Sequence, residues 1–283
     1  MSNTKIAVVT GGNKGIGYAI VKGLCEKFDG IVYLTARDVG RGEAAVSELQ
    51  KLGLKPKFHQ FDITDQKSLE TFRDFIKNEH GGIDVLVNNA AIAYKSAATE
   101  PFGVQAENTL HVNFFSLLNT CHMLFPLLRP HARVVNLSSC EGHLKKIPGE
   151  LLREKLSSST LTEEELTDLM KQFIVAAKLG NHRAEGWPNS TYQVSKVGVS
   201  ALTFIQQRAF DADPREDLIV NAVHPGSRST TLFGTPSIRC EVTTWLLCLA
   251  QQGHCGLGQW PYPITVLEHH YTRDCELQFV WFL

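Results

Sequence analysis

The fold class predicted is α/β: a doubly wound parallel sheet with helices on both faces. Three observations carry that prediction. Short apolar, β-branched runs alternate along the chain with segments of helical apolar spacing, as expected of strands buried on both faces and joined by crossover helices. A glycine-rich turn follows the first run. The other motifs of chemical interest fall just after later runs or on the helix that follows, where a Rossmann-type sheet places its ligands.

The elements follow in order. Lys5–Thr10 (KIAVVT) reads as the first strand and Ile16–Phe28 as the first helix. Ile31–Ala36 is a strand, Arg41–Leu52 a helix, Lys57–Phe61 a strand and Gln66–Asn78 a helix. Ile83–Asn88 is the fourth strand, and Pro101–Leu128 reads as one long helical stretch. Ala132–Leu137 is the fifth strand, Ser190–Phe210 a helix and Leu218–Val223 the sixth strand. One polar stretch, Lys145–Glu185, interrupts the alternation. In it Thr162 reads as an N-cap before Glu163-Glu164-Glu165, and Leu166, Leu169, Met170 and Phe173 share one face. It reads as a helical insertion before the tyrosine discussed below, within a single domain spanning 1–283.

The bulk numbers agree. The chain has 283 residues, 43% hydrophobic and 20% charged, a globular balance. A formal net charge of −1 gives no global attraction to nucleic acid or to an anionic membrane. The opening MSNTKIAVVTGG lacks the charged and apolar regions of a secretory leader, and no run of about 18 apolar residues occurs. Seven scattered cysteines, an odd number, fit reduced thiols. A cytoplasmic protein without a membrane span is expected.

The turn Thr10-Gly11-Gly12-Asn13-Lys14-Gly15-Ile16-Gly17 (TGxxxGxG) joins the first strand to the first helix. Glycines let backbone approach a pyrophosphate, and a helix N-terminus offers N–H groups and a positive dipole end. A plain tight turn would share this composition, but the position at the first βα junction favours a dinucleotide. An NAD enzyme places an acid after the second strand to bond the ribose 2′-hydroxyl. This chain has Arg37 there, Arg41 one turn on, and Lys14 in the glycine turn. Three cations near one expected phosphate favour NADPH, although Arg37 and Asp38 could also be plain surface charges. Asp62 and Ile63, after the third strand, are expected to flank the adenine.

Tyr192 and Lys196 lie four apart at the start of a helix and so share a face. A phenol ionises near ~10, and a neighbouring ammonium favours the phenolate and lowers that value. Ser139, after the fifth strand, can donate to a carbonyl oxygen as negative charge develops. Asn113 lies mid-helix, where a polar side chain is otherwise unfavoured. Each signal has an ordinary reading: YxxxK recurs by chance, Ser138-Ser139 could cap a turn, and Asn113 could bend a helix. The conjunction is far more specific than its members.

The set TGGNKGIG, Asn88-Asn89-Ala90, Asn113, Ser139, Tyr192-x-x-x-Lys196 and Pro225-Gly226 resembles the short-chain dehydrogenase/reductases. The likeness is closer to the vertebrate cytosolic NADPH-dependent carbonyl reductases. It extends to Gly12–Gly17, Leu34–Asp38 (LTARD), Asn113-Phe114-Phe115, Thr162–Leu166 (TEEEL) and Glu185-Gly186-Trp187-Pro188. Ser139 and Tyr192 are 53 residues apart, an insertion characteristic of those reductases, which are monomeric because it covers a surface used for oligomerisation in relatives. The resemblance covers about 5–226 and implies roles. Tyr192 is the general acid, Ser139 the oxyanion partner, Lys196 the pKa and ribose partner, and Asn113 the holder of a relay water. Asn89, Pro225, Gly226 and Thr230 contact the cofactor. The substrate implied is a small-molecule ketone, aldehyde or quinone, or a prostaglandin or steroid ketone.

Two departures stand out. Ala91 replaces the wider family's usual glycine. Beyond Thr230 no family pattern is recognised: 227–283 hold four of the seven cysteines and three of the four tryptophans. This segment reads as a divergent lineage, an alternative exon or a shifted frame. Cys240, Cys248, Cys255, His254, His269 and His270 match no known zinc-ligand spacing, so no metal is expected. If the tail spoils the pocket, the chain is a cofactor binder with little activity. An NAD-linked oxidase of steroid or prostaglandin alcohols is a third reading, opposed by Arg37 and Arg41.

Overall fold

The computed structural model of the protein describes residues 4–225. Six strands form one sheet in the order β3-β2-β1-β4-β5-β6, with every pairing parallel. They are β1 (Lys5–Val9), β2 (Gly30–Ala36), β3 (Lys57–Gln60), β4 (Ile83–Asn88), β5 (Leu128–Leu137) and β6 (Ile219–Val223). The order reverses between β1 and β4, so the carboxyl edge opens a crevice between the turns that follow them.

Alternation along the central strands builds two cores. Ala7, Val9, Val32, Leu34, Val85 and Val87 pack with Ile20, Val21 and Leu24 of α1 (Gly15–Lys27) and Ala45 and Leu49 of α2 (Val39–Lys51). On the opposite face Ile6, Val8, Leu86 and Val134 pack with Leu69, Phe72 and Ile76 of α3 (Gln66–His80). β5 starts four residues earlier than its apolar run predicts. A register irregularity at Ile83/Val85, with His131 at φ 64, absorbs the added length.

The long helix expected over 101–128 is interrupted. α4 (Phe102–Leu110) passes into a π-helical turn, His111–Phe115, before α5 (Ser116–Leu124) and a 3-10 turn at Phe125–Leu127. The π turn is only five residues long, too short for its wider spacing to show in the apolar pattern; single π turns are frequent at functional sites.

The insertion forms α6 (Glu150–Ser157) and α7 (Glu163–Leu179). Thr162 and Glu165 make a reciprocal capping box at the start of α7, and Gly180 closes its end in the left-handed region. Leu166, Met170 and Phe173 of α7 share a core with Leu110 and Phe114, and with Val194, Val197 and Leu202 of α8 (Thr191–Asp211). Gly226, Thr230 and the whole segment 227–283 lie outside the described residues.

Candidate active site

The glycine turn is built from β1 and β4 together. Thr10 Oγ1 accepts hydrogen bonds from the backbone N–H groups of Asn89 (2.9 Å) and Ala90 (3.0 Å). Asn89 Nδ2 in return donates to the carbonyls of Thr10 (2.8 Å) and Gly11 (3.1 Å). A Cβ on Gly17 would run into the Asn89 amide and the Gly11 carbonyl, so this residue must be small. Gly15 takes φ +56 with nothing near its missing side chain, which leaves the backbone open where α1 begins.

Among the described residues five helices have thirteen residues or more, and four of them carry a side-chain N-cap: Asp38, Asp65, Thr162 and Ser190. α1 has Lys14 at its N-cap position, and no side chain caps it. Its first amides, with Asn13 and Ile16 beside them, suit an external anion such as a dinucleotide pyrophosphate.

Gly12 N donates to Thr35 O at 2.9 Å, which holds this turn against the end of β2, where Arg37 and Arg41 stand exposed. Asp38 caps α2 through Arg41 N (2.8 Å) and lies 3.9 Å from Arg41 Nε. It therefore serves as the N-cap of α2. Asp62 Oδ1 accepts from Thr64 N (2.9 Å) and Oγ1 (2.7 Å), and Ile63 is buried in the core under α3.

The second half of the site lies where β5 meets α8. Ser139 caps a 3-10 turn, Cys140–Gly142, its Oγ accepting from Glu141 N at 3.2 Å. Ser138 is buried, with its hydroxyl 2.8 Å from Ser200 Oγ. Of the two serines, Ser139 is the one whose hydroxyl acts on the Tyr192 phenol and lowers its pKa.

Lys196 is 3% exposed, and its Nζ donates to Leu137 O (2.6 Å) and lies 5.7 Å from the centre of the Tyr192 ring. Burial pushes its ammonium down to about 8. The phenol moves opposite to expectation: burial raises the Tyr192 pKa, the Ser139 bond opposes this, and Cys140 and Glu141 add to it. The protonated phenol is the favoured form, as a proton donor requires.

Asn113 sits in the π turn, 1% exposed. Its Oδ1 accepts from Ile92 N (2.8 Å), and its Nδ2 donates to Ile92 O (2.9 Å) and to Ser195 Oγ (3.1 Å). The side chain thus ties the loop after β4 to the first turn of α8. Pro225 lies half-buried just past β6, on the same sheet edge.

Sequence reasoning missed Thr10, Glu141, Gln193 and Ser195. Thr10 opens the TGxxxGxG pattern and could have been assigned; the other three flank named residues, and no spacing signals that they meet. Among the described residues no group of histidines, cysteines and carboxylates could hold a metal ion, and no helix is long and apolar enough to cross a membrane.

Comparison with known proteins adds relatives. A family model described as short chain dehydrogenase matches residues 5–150. Carbonyl reductase (NADPH) 3 of Homo sapiens is 50% identical over 241 residues, 84% of this chain and 87% of the relative. Carbonyl reductase (NADPH) 1 of Sus scrofa is 46% identical over 275 residues, 94% of this chain and 95% of the relative. The latter share requires the alignment to pass residue 226. Among solved structures, salutaridine reductase from Papaver somniferum superposes with a TM-score of 0.71 at 31% identity, covering 78% of this chain and 86% of that one.

Proposed function

Because this chain belongs to the short-chain dehydrogenase/reductase family, we propose that it is an NADPH-dependent reductase of carbonyl compounds. The observation that carries the reading is the buried Lys196, held by Leu137 O and 5.7 Å from the Tyr192 ring, with Ser139 acting on the same phenol. The substrates are ketones, aldehydes and quinones, prostaglandin and steroid ketones among them, which become alcohols.

NADPH, when bound, supplies the hydride. Gly11, Asn13, Gly15, Ile16 and Gly17 hold its pyrophosphate; Lys14, Arg37 and Arg41 take the 2′-phosphate. Asp62 and Ile63 flank the adenine. Lys196 and Tyr192 bond the nicotinamide ribose, and Asn89, Pro225, Gly226 and Thr230 complete the lining. Asn89 has only Oδ1 to offer, since its amide N–H groups serve the glycine turn.

Ser139 donates to the substrate oxygen as negative charge develops on it. Tyr192 gives that oxygen its proton. Lys196 sets the charge around the phenol and passes the replacement proton. The Asn113 amide is occupied by Ile92 and Ser195, so a relay water falls to its backbone carbonyl. We place the enzyme in the cytosol as a monomeric single domain over 1–283, because α7 covers the faces of α4 and α8 that would otherwise be free to pair.

The test is NADPH oxidation by the full chain with menadione, alongside cofactor binding by fluorescence. The expected result is turnover that is lost in Tyr192→Phe while binding persists. Binding without turnover by the unmutated chain would overturn the reading.

A further inference from the structure

One interaction beside the reacting groups deepens this reading and rests on it. Glu141 lies two residues past Ser139, inside the Cys140–Gly142 turn. Its Oε1 receives Lys146 Nζ at 2.9 Å, and its Oε2 receives Gln193 Nε2. Gln193 directly follows Tyr192 in the first turn of α8. A single carboxylate therefore ties the turn that carries Ser139 to the helical turn that carries Tyr192. The same turn is seated on α8 at its other end, where a Cβ on Gly142 would meet Ser138 Oγ and the Lys196 carbonyl. The Glu141–Lys146 pair is one-third exposed on each side, at the rim of the site.

We propose that Glu141 is a positioning residue that, through Gln193 and Lys146, holds Ser139 against Tyr192 and places one negative charge beside the phenol. Hydrogen bonds to an ionised acceptor are short and directional, which suits a clamp. Burial works to raise the Glu141 carboxyl, but the bonds from Gln193 and Lys146 outweigh it and hold the group below its ordinary value. The charge is thus present throughout the neutral range. A negative neighbour disfavours phenolate. The groups around Tyr192 are Ser139, Cys140 and Glu141 from the turn and Lys196 from α8; those around Glu141 are His143, Lys146 and Gln193.

Three variants of the full chain separate the parts. Glu141→Gln keeps an acceptor for Gln193 and removes the charge. It should lower kcat by less than Glu141→Ala does, because the Lys146 pair is lost while an acceptor for Gln193 remains, and move the basic limb of kcat/KM about half a pH unit lower. Glu141→Ala should show that shift and also lose about tenfold in kcat, with NADPH affinity unchanged. Gln193→Ala should lose kcat with a smaller shift of the limb. The phenol is also titrated directly, by its ultraviolet absorbance as a difference against Tyr192→Phe. An unmoved phenol titration in both Glu141 variants overturns the electrostatic role, and unchanged kcat in Glu141→Ala and Gln193→Ala overturns the clamp. If the unmutated chain fails to reduce any carbonyl compound, the functional reading fails, while the phenol titration still decides the placement of the charge.

Discussion

The two ends of the cleft are built on different principles. At the β5–α8 end the supporting groups are withdrawn from water: Lys196 is 3% exposed and Asn113 1%, each held by backbone carbonyls or side chains of neighbouring elements, while Ser139 and Tyr192 are half-buried. At the β2 end Arg37 and Arg41 stand in solvent past the last buried strand residue. Charge stabilisation during reaction needs a dry, preorganised environment, and that environment displaces pKa values. Recognition of a dianionic phosphate needs cations that can reach it, and exposure costs them little. On the proposed reading, the first end controls rate and the second controls cofactor choice.

Removing the phenol tests the first end most severely. Tyr192→Phe should lower kcat by about 10²–10⁴ and weaken NADPH binding by no more than the roughly tenfold that one ribose hydrogen bond is worth, as steady-state kinetics and fluorescence titration would show. If affinity fell equally, the two ends would not be separable. Arg37→Asp should do the reverse. It should cost about 10- to 100-fold in kcat/KM for NADPH, improve NADH relative to it, and leave kcat at saturating cofactor little changed. Unaltered selectivity would move the 2′-phosphate site away from the β2 end.

Lys196→Met sharpens the contrast from the side of stability. The folded-state value of about 8 lies below the ordinary 10.5, so burial of the ammonium costs about 3 kcal/mol at pH 7. Orphaning the Leu137 carbonyl returns about 1 kcal/mol of that. The variant should therefore be inactive yet melt at higher temperature near pH 7. Because the folded chain binds fewer protons here than the unfolded chain, the unmutated protein should gain on the variant as pH rises from about 8 to 10.5. A lower melting temperature for Lys196→Met at pH 7 would contradict the burial cost. The smallest effect belongs far from both ends: Thr162→Ala breaks the capping box of α7 and should cost about 1 kcal/mol in denaturant unfolding, with kcat unchanged.

Much of this was legible from residues close together in the chain. The glycine turn, the YxxxK pair and the Thr162 cap are local patterns, and local geometry follows local sequence. The choice of Ser139 over Ser138 came from the family resemblance, and the structure adds a physical reason for it: Ser138 Oγ lies against Ser200 of α8, while Ser139 acts on Tyr192. The π turn at Asn113 left no trace in periodicity; the two backbone bonds to Ile92, 21 residues away, accompany it.

By itself the sequence determined the alternating parallel sheet, the dinucleotide turn, the cationic end of β2 and the pairing of Tyr192 with Lys196, since each rests on spacing within one element or one junction. Only the tertiary structure decided that Asp38 is a helix cap, that the phenol is pushed up and not down, and that Glu141 meets Gln193 across 52 residues. Burial and charge proximity are sums over all surrounding elements, and no single stretch of sequence contains them.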